Sequence, residues 1–302
     1  SWLATWMALR SMDRHGDLRS IARADRIQLI ARMVVLGGYA AALLAYDWLA
    51  LIRTTMGNLV LIDELIAMLP AILGFALLWW IHEPVDRRIR QAVLIRRLDL
   101  GLAVHPFPTR LGFVWHQIRT HLLLLLVPLL AIVAAAEAVD RIVPLIIEDE
   151  ASALRWAEGL SLLAGLTIFA LAPLMARFVL SVERLPDGEA RSELLDVCAR
   201  HGVRVRELLL WKTGGTMINA AVMGLVGRLR YVLISDALIE SMSRDELVAV
   251  MAHEIGHVRR HHLPWMVVTL LGILLAITAV TTAMLLAIGG LDLGLSQIGR
   301  AS

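Results

Sequence analysis

The chain carries one cysteine, Cys198, in 302 residues. That excludes a disulfide framework and any cysteine-rich metal site. Charge is scarce as well: 19% of residues are Asp, Glu, Lys or Arg, below the quarter or so of an ordinary soluble domain. Lysine is nearly absent, Lys212 being the one lysine among 29 basic residues, so the positive charge is carried by arginine. The sequence shows no internal repeat, low-complexity tract, glycine-rich nucleotide loop or evident cleavable signal peptide. The arginines lie beside apolar stretches, so the sequence pI of about 9.1 gives no argument for nucleic acid.

What is abundant is apolar surface: 58% of residues are hydrophobic and the mean hydropathy is +0.70. That average excludes disorder and points to several membrane spans rather than one soluble globule. Five stretches reach the ~20 residues a bilayer crossing needs. They run from about Met33 to Ile52, Leu59 to Ile81, Leu122 to Val139, Leu160 to Leu180 and Pro264 to Ile288. Pro70, Pro128 and Pro173 fall inside three of them, where neighbouring helices can re-satisfy the freed carbonyls.

Arginine placement orients the bundle. Arg10, Arg14, Arg19, Arg23, Arg26 and Arg32 precede the first span, and a second basic group, Arg87 to Arg119, separates spans two and three. The intervening connections are poor in arginine (Arg53 alone) or acidic (Asp140, Glu148, Asp149, Glu150, Glu158). This alternation predicts a cytoplasmic N-terminus and a cytoplasmic segment from Ser181 to Leu263. Three parts follow: residues 1–180 as a membrane domain with four spans and a basic cytoplasmic loop at 82–120, residues 181–263 as a small cytoplasmic domain, and residues 264–302 as a fifth span and tail. Glu137 and Arg177 should lie at opposite membrane faces, too far apart to pair, each snorkelling to its own boundary.

Within the polar segment, Asp187 to Arg200 reads as a helix with Cys198 on its apolar side. Val205 to Trp211 and Arg230 to Ser235 read as strands, and Met217 to Met223 as a short strand ending near Gly224. Ser243 followed by Glu246 forms a capping box, so a helix starts there. Leu247, Val250, Met251, Ile255 and Val258 give it one apolar face. Inside it lies His253-Glu254-Ile255-Gly256-His257. Histidines four apart on a helix are one turn apart on one face, so both imidazoles can converge on one ion. Zinc accepts such nitrogens and prefers four ligands, one position being open to water in a catalytic site. Glu254 is then placed to take the water's proton and deliver it to the leaving amine. His261 is two turns from His253, about 12 Å along a straight helix, too far to share that ion. With His262, Arg259 and Arg260 it reads as a basic collar on the fifth span.

These residues resemble the membrane zinc metallopeptidases of the HtpX and CAAX prenyl protease type. The resemblance runs from about Leu208 to His262, through Asn219-Ala220 with Gly224, Tyr231 to Leu238, Asp245-Glu246-Leu247 and the His253–His257 motif. With the five apolar stretches counted above, the expected fold is a mainly α, polytopic membrane helix bundle of about five spans with a small cytoplasmic domain, which the resemblance makes α+β and zincin-like. It implies one Zn2+ per chain on His253 and His257, Glu254 as catalytic base, and Asn219, Ala220 and Gly224 at a substrate-binding edge strand. Asn219 reads equally well as an ordinary turn residue. The implied function is a zinc-dependent membrane endopeptidase cutting membrane-associated or misfolded proteins at the cytoplasmic face of a bacterial inner membrane. The partners are a protein or peptide substrate and the bilayer, with no nucleic acid.

The chain departs from that pattern in two ways. Four spans precede the motif where the HtpX pattern has two. The family takes a third zinc ligand from a downstream glutamate, and Glu254 is the last glutamate here. The expectation is a sequence cut after half of a membrane hairpin; otherwise Glu246, Glu240 or Asp236 would have to supply the ligand. The alternative function is a proteolytically inactive membrane scaffold retaining the fold.

Overall fold

The computed structural model describes Trp6 and residues 18–57, 59–99, 101, 104, 106–215 and 217–298. Arg10 and Arg14, counted above for orientation, lie outside the described residues. The side chains of 18–21, 270, 271, 274, 278 and 285–298 lie outside them too, Arg19 included.

Most of the chain is helix. The N-terminal part comprises α1 (Leu18–Ala45), α2 (Trp48–Met56), α3 (Ile62–Asp99), α4 (Arg110–Gln117), a π-helical turn (Ile118–Leu123), α5 (Leu124–Ile146) and α6 (Glu150–Val179). Four of the helical stretches, Ala22–Ala45, Ile62–Asp99, Arg110–Ile146 and Glu150–Val179, are long and apolar enough to cross a membrane. Many of their leucines point outward, Leu125, Leu129, Leu162 and Leu163 among them, as a lipid solvent permits. α5 and α6 form a tight hairpin closed by Val143, Ala153 and Ala157, and the Asp149 side chain caps α6 at Ser152 N (2.8 Å). The region predicted as the fifth span lies in α10 (His262–Ile298), of which Leu275–Met284 is an apolar stretch among the described residues.

The predicted loop at 82–120 is largely helical. α3 continues to Asp99 and α4 begins at Arg110. The pairs Glu83–Arg87 (2.8 Å) and Asp86–Arg90, each four residues apart, carry α3 onward where the apolar run ends. At 38 residues α3 is ~57 Å long, well beyond the ~30 Å of a hydrocarbon core, so it projects out of the bilayer. Arg97 near its end pairs with Glu240 and reaches the Gly215 carbonyl (3.4 Å). Glu137 also departs from the snorkelling expectation: it accepts from Leu61 N (3.1 Å) and joins Arg53 (3.6 Å), which binds Asp63 and Glu64. Arg177 lies 5.8 Å from the Tyr231 ring, at the opposite end.

The second part contains β1 (Val182–Arg184), α7 (Glu189–Arg200), β2 (Glu207–Trp211), β3 (Ala220–Met223), β4 (Tyr231–Ser235), α8 (Asp236–Ser241) and α9 (Arg244–Arg259). The sheet order is β1-β2-β4-β3, with β2 and β4 parallel and both outer strands antiparallel to their neighbours. One face packs Leu208, Val232 and Ile234 against Leu194, Val197 and Cys198 of α7 and Leu247, Met251 and Ile255 of α9. The other packs Leu209, Tyr231 and Leu233 against Leu180 and Leu174 at the end of α6. Covered on both faces, β4 is buried at every residue, which is why it reads as a continuous apolar run. Arg119 ties the two parts, donating to Val179 O (2.7 Å) and Ser181 Oγ (2.9 Å).

Asp236 fastens the loop between β2 and β3. Its carboxylate accepts from Thr213 N (3.0 Å), Gly214 N (2.8 Å), Gly215 N (3.3 Å) and Ala237 N (2.8 Å), and from the Thr213 hydroxyl. Burial alone would raise this carboxyl, but the bonds from Thr213, Ala237 and Gly214 outweigh it and hold it below the usual range. A depressed folded-state pKa stabilises above the unfolded value and is lost as pH falls through the folded one. Asp236→Ala, which strands several buried donors, should cost about 3–5 kcal/mol by thermal or denaturant melting. The gap from wild type should hold steady above the ordinary 3.8 and close below it. An unchanged midpoint at neutral pH would contradict this role.

Candidate active site

α9 is fixed at its start by the predicted capping box. Ser243 N donates to Glu246 Oε2 (2.8 Å), and Glu246 N donates to Ser243 Oγ (3.5 Å). Arg244 pairs with Glu189 and Glu193, tying this end to α7. With Leu247, Met251 and Ile255 buried, the 100° step per residue puts His253 and His257 on the opposite side, where both are exposed. Glu254 falls between the two faces and is half-buried. Their ligand atoms, one from each of His253, Glu254 and His257, lie within 4.8 Å of one another. The two imidazoles are 4.8 Å apart between ring centres and perpendicular.

From the sequence, Pro264 bounds this helix or begins the next, and a boundary does fall just before it, but the sharp corner is new. The helix stops at Arg259, and His261 adopts φ 55°, a left-handed conformation, before α10 starts at His262. This corner folds His262 back, so its Nδ1 lies 2.7 Å from Nδ1 of His257, one donating to the other. A straight helix would have pointed the two rings apart. The basic collar therefore fails for His262, although Arg259, Arg260 and His261 are exposed. The available sequence signal was Pro264 a few residues on, which marks a break but does not reveal its angle.

α9 packs beside β3, the sheet's edge strand. Asn219 is exposed just before β3, its N–H donating to Ser235 Oγ (3.0 Å) and its carbonyl accepting from Ser235 N (3.0 Å). Ala220 opens the strand opposite Ile234. Gly224 closes it with φ 106°, and a Cβ there would stand 2.6 Å from the Leu229 carbonyl oxygen. The three weak third-ligand possibilities are occupied elsewhere: Asp236 in its loop, Glu240 with Arg97, and Glu246 in the capping box.

Residues 186–294 match peptidase family M48. That span is about a third of the chain and includes the whole His253–His257 motif and the edge strand. CAAX prenyl protease 1 of Saccharomyces cerevisiae is 31% identical over 86 residues, covering 28% of this chain and 19% of that protein. The chain thus aligns with about a fifth of that relative's length. The crystal structure of S. mikatae Ste24p aligns with a TM-score of 0.49 and 16% identity, over 89% of this chain and 65% of that one. The resemblance read from the residues, to membrane metallopeptidases of the HtpX and CAAX prenyl protease type, therefore stands.

The glycine at 224 is required sterically. Gly224→Ala must displace the Leu229 backbone while holding a conformation that costs an L-residue ~1–3 kcal/mol. Lower thermal stability and faster hydrogen exchange in β3 should follow; wild-type exchange would contradict the strain.

Proposed function

We propose that this protein is a zinc-dependent endopeptidase anchored in a membrane, cutting membrane-associated or misfolded proteins at the cytoplasmic face. The observation carrying the reading is the convergence of His253, Glu254 and His257 on the exposed side of a helix buried along its other face. The donor set suits zinc, which takes imidazole nitrogens: two histidines one turn apart on one helix face, with a carboxylate between them. With Nδ1 of His257 engaged by His262, its Nε2 is the nitrogen left for the metal. Bound there, the ion would act as a Lewis acid that lowers the pKa of water and polarises the scissile carbonyl.

The remaining steps belong to the protein. Glu254 accepts a proton from the attacking water at its carboxylate, then returns it to the amine that leaves. Among the described residues β3 pairs on one side only, so an extended substrate adds as a further strand alongside Asn219 and Ala220. The close Gly224 turn keeps the end of that edge clear of side chain. His262 serves as a positioning residue, fixing the orientation of the His257 ring. The arginine asymmetry between successive connections supports a cytoplasmic active site in a bacterial inner membrane.

An inactive scaffold is the second reading, favoured by Asp236, Glu240 and Glu246 each being committed elsewhere. Metal analysis separates the two, since an active enzyme requires stoichiometric zinc.

Glu254→Gln should lower the rate of peptide cleavage by about 10²–10⁴-fold while the zinc content stays near one per chain. Retained cleavage would reject Glu254 as the base. His262→Ala should weaken zinc affinity by about 10–100-fold in a chelator competition, with His262→Asn recovering part of it and His261→Ala leaving it unchanged. Equal effects at 261 and 262 would contradict the positioning role.

A further inference from the structure

On the side of the membrane domain facing the sheet, one arginine feels a carboxylate, Asp25, only through space and has no anion in direct contact among the described residues. Arg32 of α1 makes no hydrogen bond or ion pair within the described residues, and its Nε is buried. Its guanidinium lies 5.9 Å from the ring of Trp79 on α3, and His121 of the π-helical turn stacks on the same ring at 6.1 Å. Trp79 is only 2% exposed and its indole N–H is likewise without an acceptor. Asp25, two turns earlier on α1, is engaged by His82 Nε2 (3.3 Å). Three helical segments thus bring together two obligate donors and an exposed imidazole, with the local carboxylate already occupied.

The depth of this cluster narrows the ligand. Trp79 is 17 residues into α3, or ~26 Å along it, which sets the cluster near one boundary of a ~30 Å hydrocarbon core. Trp80 and Trp115, both exposed, mark the same boundary, with the Arg110 guanidinium 4.3 Å over the Trp80 ring. Lipid phosphates lie at this level. Below it, α1 and α3 frame an apolar pocket of about 300 Å³, lined by Val35, Gly38, Tyr39, Ala42, Trp48, Pro70 and Ala71. Val35 and Tyr39 follow Arg32 by three and seven residues, on one stripe of α1. Charge above and an open apolar pocket below match the two ends of one amphiphile.

We infer that Arg32, with His121 beside it, binds the phosphate of an anionic phospholipid, one of whose acyl chains lies in the pocket between α1 and α3. The guanidinium meets the phosphate in charge-assisted hydrogen bonds, and the lipid supplies a direct anionic partner that no described side chain provides.

The experiment uses the whole protein in non-ionic detergent, titrated with phosphatidylglycerol, phosphatidylcholine or inorganic phosphate. Bound lipid is counted by native mass spectrometry and thermal stability is followed in parallel. One phosphatidylglycerol per chain should persist at concentrations that leave phosphatidylcholine unbound, with a rise in melting temperature. Arg32→Gln should reduce that retention at least tenfold, whereas Arg96→Gln, the same loss of charge elsewhere, should not. Gly38→Leu leaves the charge intact and fills a position with no atom within 4 Å of its Cβ; it too should lower retention, and it serves where Arg32→Gln fails to fold. Equal retention of both lipids, equal losses in the Arg32 and Arg96 variants, or unchanged retention in Gly38→Leu would overturn the assignment. So would inorganic phosphate that displaces the lipid and reproduces its stabilisation, which would mark a free-anion site.

Discussion

The proposed hydrolytic site depends on how α9 is held. Two imidazoles and a carboxylate become a site only if one turn of helix is fixed in rotation and in position. The capping box fixes the start, and Leu247, Met251 and Ile255 fix the rotation by burying one face in the domain core. The left-handed corner at His261 fixes the end and turns His262 back onto His257. The chemistry faces outward because the hydrophobic face is committed inward.

The sheet extends that arrangement to the membrane. Its inner face packs on α7 and α9, its outer face on the last turn of α6, so the domain rests on the bundle through apolar contact. Arg97 and Arg119 add polar ties from α3 and the π-helical turn. β3 remains as the one edge beside α9, which is what a peptide substrate of the strand-adding kind needs. The same bundle that carries the domain leaves Arg32 facing a membrane boundary, so the bilayer acts both as solvent and as a source of ligand.

Features with one dominant local cause were legible in the sequence. The capped helix, the apolar strands and the long spans follow from spacing and composition alone. Residues 82–99 were misread as loop because the signal changed there from apolar content to i,i+4 ion pairs, and hydropathy does not register the second. β1 is three residues long, too short for any period to show. The return of His262 hinges on a single positive φ at His261, a residue type enriched in that conformation but far too common elsewhere to announce it. The Arg53–Asp63–Glu64–Glu137 cluster joins three helices, and long-range pairing of that kind has no sequence period at all.

The central claim is that His253 and His257 together hold a divalent ion. Zinc K-edge absorption spectroscopy on the zinc-loaded protein reads the coordination shell directly. The account predicts the multiple-scattering signature of two imidazole ligands, diminished in His253→Ala and in His257→Ala. A spectrum without imidazole scattering, or one indifferent to both substitutions, would contradict it.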